Sequence, residues 1–167
     1  MTRFISPILL LLSFLFTYQS TNAQASCDDL KKENEYLKNA LKISTPTKTI
    51  TSSKIDFNLL KVEGAAKEQT ASVILTLVNH DVNRDFHFSK AVAIDMEGNE
   101  YEFLDIKIGS ASIINKIYTD TPIKTVVKFS KVLPAVKIFK LVSVAYYTGE
   151  TLKTIDLEFK DLAISWK

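Results

Sequence analysis

The densest concentration of potentially reactive side chains is the stretch Asn79–His87, "NHDVNRDFH", which holds both histidines of the chain. Asp81, Asn83 and Asp85 match the first three ligand positions of a calcium loop. Such a loop also needs glycine at its sixth position and a bidentate glutamate at its twelfth. Those positions are Phe86 and Val92, so the match fails where coordination is most demanding. His80, Asp81, Asp85 and His87 form a second candidate set, because imidazole and carboxylate both suit zinc. No cysteine lies in this part of the chain to complete it. The competing reading is an Asx-rich turn between two strands, in which Asn and Asp side chains satisfy the neighbouring backbone.

The remaining catalytic patterns lack their parts. There is no Gly-x-Ser-x-Gly turn for a serine nucleophile, and four scattered glycines cannot build a phosphate-cradling loop. A glycosidase needs two carboxylates facing one cleft. Strand alternation sends most of Glu97, Glu100, Glu102, Asp105, Glu150, Asp156 and Glu158 to a solvated face. The expectation is a non-enzymatic protein without a cofactor, with a metal-dependent module or enzyme using residues 80–87 as the alternative. Net charge is +2, with lysines alternating with apolar residues as in "KTVVKF". Spread lysines read as solvated strand faces, so no nucleic-acid partner is expected.

The other reactive group is Cys27, the sole cysteine, at the head of "CDDLKKENEYLKNAL". With Cys27 at heptad position a, Asn34 and Leu41 also fall at a, and Leu30 and Leu37 at d. Apolar d residues with Asn at a are what a parallel coiled coil uses to set register and partner number. Glu33 at g faces Lys38 at e of a neighbouring chain. Ser26 followed by Asp29 reads as a capping box, and Asp28 and Asp29 complement the helix dipole. Two heptads make a weak zipper alone, and an unpaired cysteine in an oxidising compartment suggests an intermolecular disulfide. Self-association through Cys27, Leu30, Asn34, Leu37 and Leu41 is therefore expected, or else docking on an envelope protein partner. Packing of this helix on its own domain and a lipid-anchored stalk at Cys27 are the alternatives. Gln24 stands where a lipoprotein signal carries a Leu-like residue, which argues against the lipid.

These groups must be carried by a scaffold, and its outline is legible. Residues 1–23 combine Arg3, the apolar block Phe4–Phe16 and a small-residue ending Thr21-Asn22-Ala23, the layout of a cleavable signal peptide. The block is shorter than the roughly 20 residues that span a bilayer. The mature chain is thus expected in the periplasm or outside the cell, without a transmembrane span. Residues 24–42 read as the coiled-coil-like helix and 43–54, rich in Ser, Thr and Lys with Pro46, as a linker. From Ile55 to Lys167 the period changes to two. Turn chemistry is read at Gly64, Glu97-Gly98-Asn99, Gly109, Pro122, Pro134 and Thr148-Gly149. About seven to nine short strands follow one another with no helical crossover between them. The fold class is all-β, an antiparallel β-sandwich with 46% hydrophobic residues in the whole chain to fill it. In "FHFSKAVAIDM", alternation puts Phe86, Phe88, Val92, Ile94 and Met96 on one face. Tyr146 and Tyr147 point to opposite faces of one strand.

Four segments carry a resemblance. They are "VILTLVN" ending in Asn79; "AIDMEGNEY" with Asp95, Gly98 and Tyr101; "TPIKTVVKF" from Pro122 to Phe129; and "KLVSVAYY". Over residues 55–147 the chain resembles small exported proteins of Gram-negative bacteria that carry a short stalk helix and an Ig-like sandwich of unknown function. The resemblance implies an Ig-like fold and export, and carries no catalytic residues.

Overall fold

The computed structural model describes residues 27–149 and 151–167; the signal-peptide reading of residues 1–23 lies outside them. Two compact units divide the chain at Lys42/Ile43. Helix α1 runs Cys27–Ser44, all but its last two residues in the first unit, with Asp28 and Asp29 in its first turn. It ends two residues before Pro46, whose ring disfavours helical geometry at Thr45.

The second unit contains ten strands among the described residues: β1 Lys48–Ser52, β2 Ile55–Ala65, β3 Thr70–Asn79, β4 Arg84–Asp95, β5 Glu100–Ile108, β6 Ile114–Ile117, β7 Ile123–Ser130, β8 Ile138–Thr148, β9 Thr151–Ala163 and β10 Ser165–Trp166. They form one sheet in the order β1-β2-β3-β7-β5-β4-β8-β9, with β6 beside β4 and β10 beside β2. All pairings are antiparallel except the short β10–β2 contact. The two ends of the path approach each other. The Lys48 ammonium on β1 donates to the Lys160 carbonyl on β9, and Tyr146 Oη on β8 donates to Ser52 Oγ at 2.9 Å. The sheet is nearly closed and barrel-like, where two separate layers were expected. The cause lies in β5: Glu100–Glu102 pair with β4, and Phe103–Ile108 pair with β7 across a register shift at Leu104. One strand thereby belongs to both halves.

Bulges also correct the alternation expected along β4. Phe86 and Phe88 point inward, but an extra residue at Ser89 shifts the register against β8. A one-residue slip exchanges the faces of everything beyond it. Ala91, Ala93 and Asp95 are therefore the buried set, and Met96 is 64% exposed. The segment expected as a linker carries β1, because Thr49, Ile50 and Thr51 suit a strand. Its hairpin to β2 turns on Ser53 and Lys54, both at positive φ (51° and 59°), as a two-residue primed turn requires.

The interior is filled by Phe57, Phe86, Phe88, Phe129, Phe139, Phe159 and Tyr146, all essentially inaccessible. Tyr146 stacks on Phe86 (5.1 Å, 16°) and tilts against Phe57 (5.0 Å, 49°). Such ring pairs contribute about 0.5–1.5 kcal/mol each beyond the area they bury. Gly64, expected at a turn, sits inside β2 instead. A Cβ there would lie 2.3 Å from the Trp166 ring, so the position is Gly because the C-terminal tryptophan lies on it.

Candidate functional site

The residues singled out for chemistry fall into three places. On α1, every described side chain from Asp28 to Leu37 is exposed. Leu30 and Leu37 stand 54% and 51% exposed, and Tyr36 72%. Leu30, Asn34 and Leu37 lie three and four residues apart, which places them on one stripe of the helix. The side chains of Cys27 and Leu41, the outer members of the expected seam, lie outside the described ones.

The second place is the loop end of the β domain, where β1–β2, β3–β4 and β6–β7 meet. Asn79, the last residue of β3, is completely buried and organises the β3–β4 loop. Its Nδ2 donates to the carbonyls of Asp81 (2.8 Å) and Val82 (3.0 Å). Its Oδ1 accepts from Asp81 N–H (3.3 Å) and from Arg84 Nε (3.1 Å). Arg84, itself buried, donates through Nη2 to the Ser53 carbonyl at 2.5 Å. A buried guanidinium is costly unless its donors are engaged; here amide and peptide oxygens engage them. The β6–β7 loop is laid on this base. Thr119 N–H donates to Asn83 Oδ1 (2.9 Å), Thr119 Oγ1 to the Asp81 carbonyl (2.7 Å) and Asp120 N–H to the Asn79 carbonyl (2.7 Å).

The structure does not gather His80, Asp81, Asp85 and His87 into one site. His80 lies between two carboxylates, Nδ1 2.7 Å from Asp120 Oδ1 and Nε2 2.9 Å from Asp56 Oδ2. Those two partners, from Asp56 first and Asp120 second, raise its pKa above the usual 6.5. Asp56 also accepts from Thr51 Oγ1 at 2.6 Å, and this bond, more than His80, holds its carboxyl below the ordinary 3.8. Asp81 accepts from Val82 N–H (2.9 Å) and pairs with Lys54 (3.1 Å), and both contacts lower its pKa. Asp85 is exposed on β4. His87 lies on the same strand, stacked on Tyr147 of β8 (4.6 Å, 12°), its buried Nδ1 without a protein partner. Among the described residues, no three of His, Cys, Asp and Glu are placed to hold one metal ion. The Asx reading describes the loop. Asp56 and Asp120, the groups that matter to His80, lie 24 and 40 residues from it in sequence, too far for local patterning to reveal.

The third place is the opposite end of β4. Asp95, 5% exposed, accepts from Glu97 N–H, Asn99 N–H and Asn99 Nδ2, each at 2.9 Å, and from Tyr101 Oη at 2.8 Å. Gly98, at φ 86°, closes the turn. These bonds, that of the Asn99 amide first, hold the Asp95 pKa down at about 2. Burial and the adjacent carboxylate push Tyr101 up to about 12. The Asp-x-x-Gly-x-x-Tyr spacing is thus a self-satisfied hairpin. Beside it opens a cleft of about 340 Å³ lined by Met96, Glu97, Tyr101, Leu133, Val136 and Ile138 among others. Trp166 pins the far wall through Nε1 to the Val136 carbonyl at 2.7 Å.

No family model and no curated protein matches the chain. Among solved structures, it is similar to a family 123 glycoside hydrolase from Clostridium perfringens at 10% identity and a TM-score of 0.37. That match covers 61% of this chain and 22% of the hydrolase, so the chain spans about a fifth of that structure. It is also similar to the GAE domain of yeast GGA1 at 14% identity and a TM-score of 0.35, covering 68% of this chain and 96% of that domain. Neither likeness is close enough to bear on function.

Proposed function

We propose that the chain is an exported, non-enzymatic assembly protein of the bacterial cell envelope, with an Ig-like β domain carried on a self-associating helix. One observation carries this reading: Leu30 and Leu37, at coiled-coil spacing on α1, are both more than half exposed. An amphipathic helix of 18 residues gains most of its stability by burying its apolar stripe. The occupant that matches this stripe is a second copy of the same helix. In a parallel pair Asn34 meets Asn34 across the axis, and Glu33 of one chain faces Lys38 of the other. Cys27, one heptad before Asn34, then meets its own counterpart, and an oxidising compartment would link the two. The signal-peptide layout of residues 1–23 supports export to such a compartment.

The test is electrophoresis of the purified, alkylated protein with and without reductant. The expected result is a band of twice the chain mass that collapses on reduction and is absent from Cys27→Ser. A protein that runs as a monomer under oxidising conditions, with Cys27 free, removes the covalent part of the reading. A diacyl or triacyl mass increment on Cys27 replaces it with a lipid anchor.

A further inference from the structure

We propose that His80 is a pH-operated clamp on the loop end of the β domain: as an imidazolium it ties the β6–β7 loop to β2 through Asp120 and Asp56, and on losing its proton it lets Asp120 go.

The geometry requires the charged ring. Both ring nitrogens lie within hydrogen-bond distance of a carboxylate oxygen, at 2.7 and 2.9 Å. An ionised carboxylate only accepts, so both nitrogens must donate. A neutral imidazole has one N–H and one lone pair, and its lone pair would then face a carboxylate oxygen. One contact has to open when the proton leaves.

The two partners are unequally held, which decides which contact opens. Asp56 lies on β2 between two strands, paired with Thr51 of β1 and Val78 of β3, and its carboxylate keeps the Thr51 hydroxyl. Asp120 is 71% exposed at its side chain, in a loop and at a positive φ of 50°. His80 itself is anchored by its backbone, which donates to the Lys54 carbonyl at 2.8 Å. The other charges around the ring are engaged elsewhere. Lys54 of the β1–β2 turn pairs with Asp81, and Arg84 at the start of β4 is directed to Asn79 and Ser53. Asp120 is therefore the partner released. The loop keeps its bonds to the carbonyls of Asn79 and Asp81 and to Asn83 Oδ1, so it loosens without unfolding. What changes is how firmly the β6–β7 loop, which carries the 52% exposed Tyr118, is held on the β3–β4 loop.

The sign follows from the two partners. The His80 contribution is complete below pH 6.5 and is lost as pH rises through the raised value of the folded protein. At the acid end Asp56 fails in turn, below its ordinary 3.8. The clamp is closed in the interval between.

The test is an NMR titration of the purified protein that follows the His80 ring nitrogens, assigned against His87→Asn, together with amide exchange at Thr119, Asp120 and Thr121. His80 is expected to titrate above 6.5 with both nitrogens protonated below it. Through that titration, protection of the loop amides should fall about two- to five-fold, the size an exposed ion pair carries. The fall should be absent from His80→Gln, and Asp120→Asn should bring the His80 titration down. A His80 titration at or below 6.5, or protection that stays constant through it, overturns the clamp. So does an equal fall in His80→Gln.

Discussion

The two ends of β4 solve the same problem with different chemistry. At one end Asp95 is buried and its carboxylate accepts four hydrogen bonds, all from groups within six residues of it. At the other, an exposed histidine gathers two carboxylates that lie 24 and 40 residues away in sequence. None of Asp95's donors titrates in the ordinary range, since two are backbone amides, one is an asparagine and one a tyrosine at about 12. The Asp95 turn is thus a permanent staple, whereas the His80 contact depends on one proton. Local, neutral donors give a fixed turn, and distant, titratable donors give one that can be released. The loop end remains folded in either state because its weight rests on Asn79 and Arg84, beneath the histidine.

That division can be broken at its base first. Asn79→Ala strips Arg84 of an acceptor and two loop carbonyls of their donor, all buried or half-buried. A loss of about 2–4 kcal/mol is expected from unsatisfied groups of this kind, read by urea unfolding at neutral pH. At the opposite end, Gly64→Ala drives a methyl into the Trp166 ring. Overpacking of this kind costs about 1–3 kcal/mol, and Trp166 fluorescence should report the displaced ring in the folded baseline.

Acid titration then separates the two ends. Asp95 has a depressed pKa, so its contribution is present above 3.8 and is lost only as pH falls toward about 2. Asp95→Asn should melt several degrees below wild type at pH 6, with the gap closing as pH approaches 2. The smallest effect belongs to the clamp. His80→Gln should melt slightly below wild type near pH 6 and together with it near pH 9, the reverse of the Asp95 dependence. If the two variants show the same pH dependence, the contrast between staple and clamp is lost.

Particular residues show how far the sequence carries. The β-branched run of β3, apolar on both faces, and the alternation of lysines with apolar residues in β7 made those strands legible, and the Asp95–Gly98–Tyr101 spacing marked a hairpin before its bonds were visible. Ser89 did not announce its bulge, because an extra residue in a strand changes no composition, and the faces of Val92, Ile94 and Met96 were inverted as a result. Gly64 resembled a turn because its real reason, Trp166, is about a hundred residues away. β1 was hidden in a Ser- and Thr-rich stretch whose β propensity only becomes structure when β2 folds back on it. The proximity of His80 and His87 in sequence suggested one site. Their strand and loop placement separates them, and the His80 partners come from elements that only the sheet order brings together.

The central claim concerns the helix, and sedimentation equilibrium under reducing conditions tests it most directly, because it asks whether α1 associates without help from Cys27. The account predicts a concentration-dependent mass approaching twice the monomer for the wild type. It predicts a monomer for Leu30→Glu/Leu37→Glu, with the thermal unfolding of the β domain unchanged. A wild type that stays monomeric at high micromolar concentration, or a double variant that still associates, would contradict it.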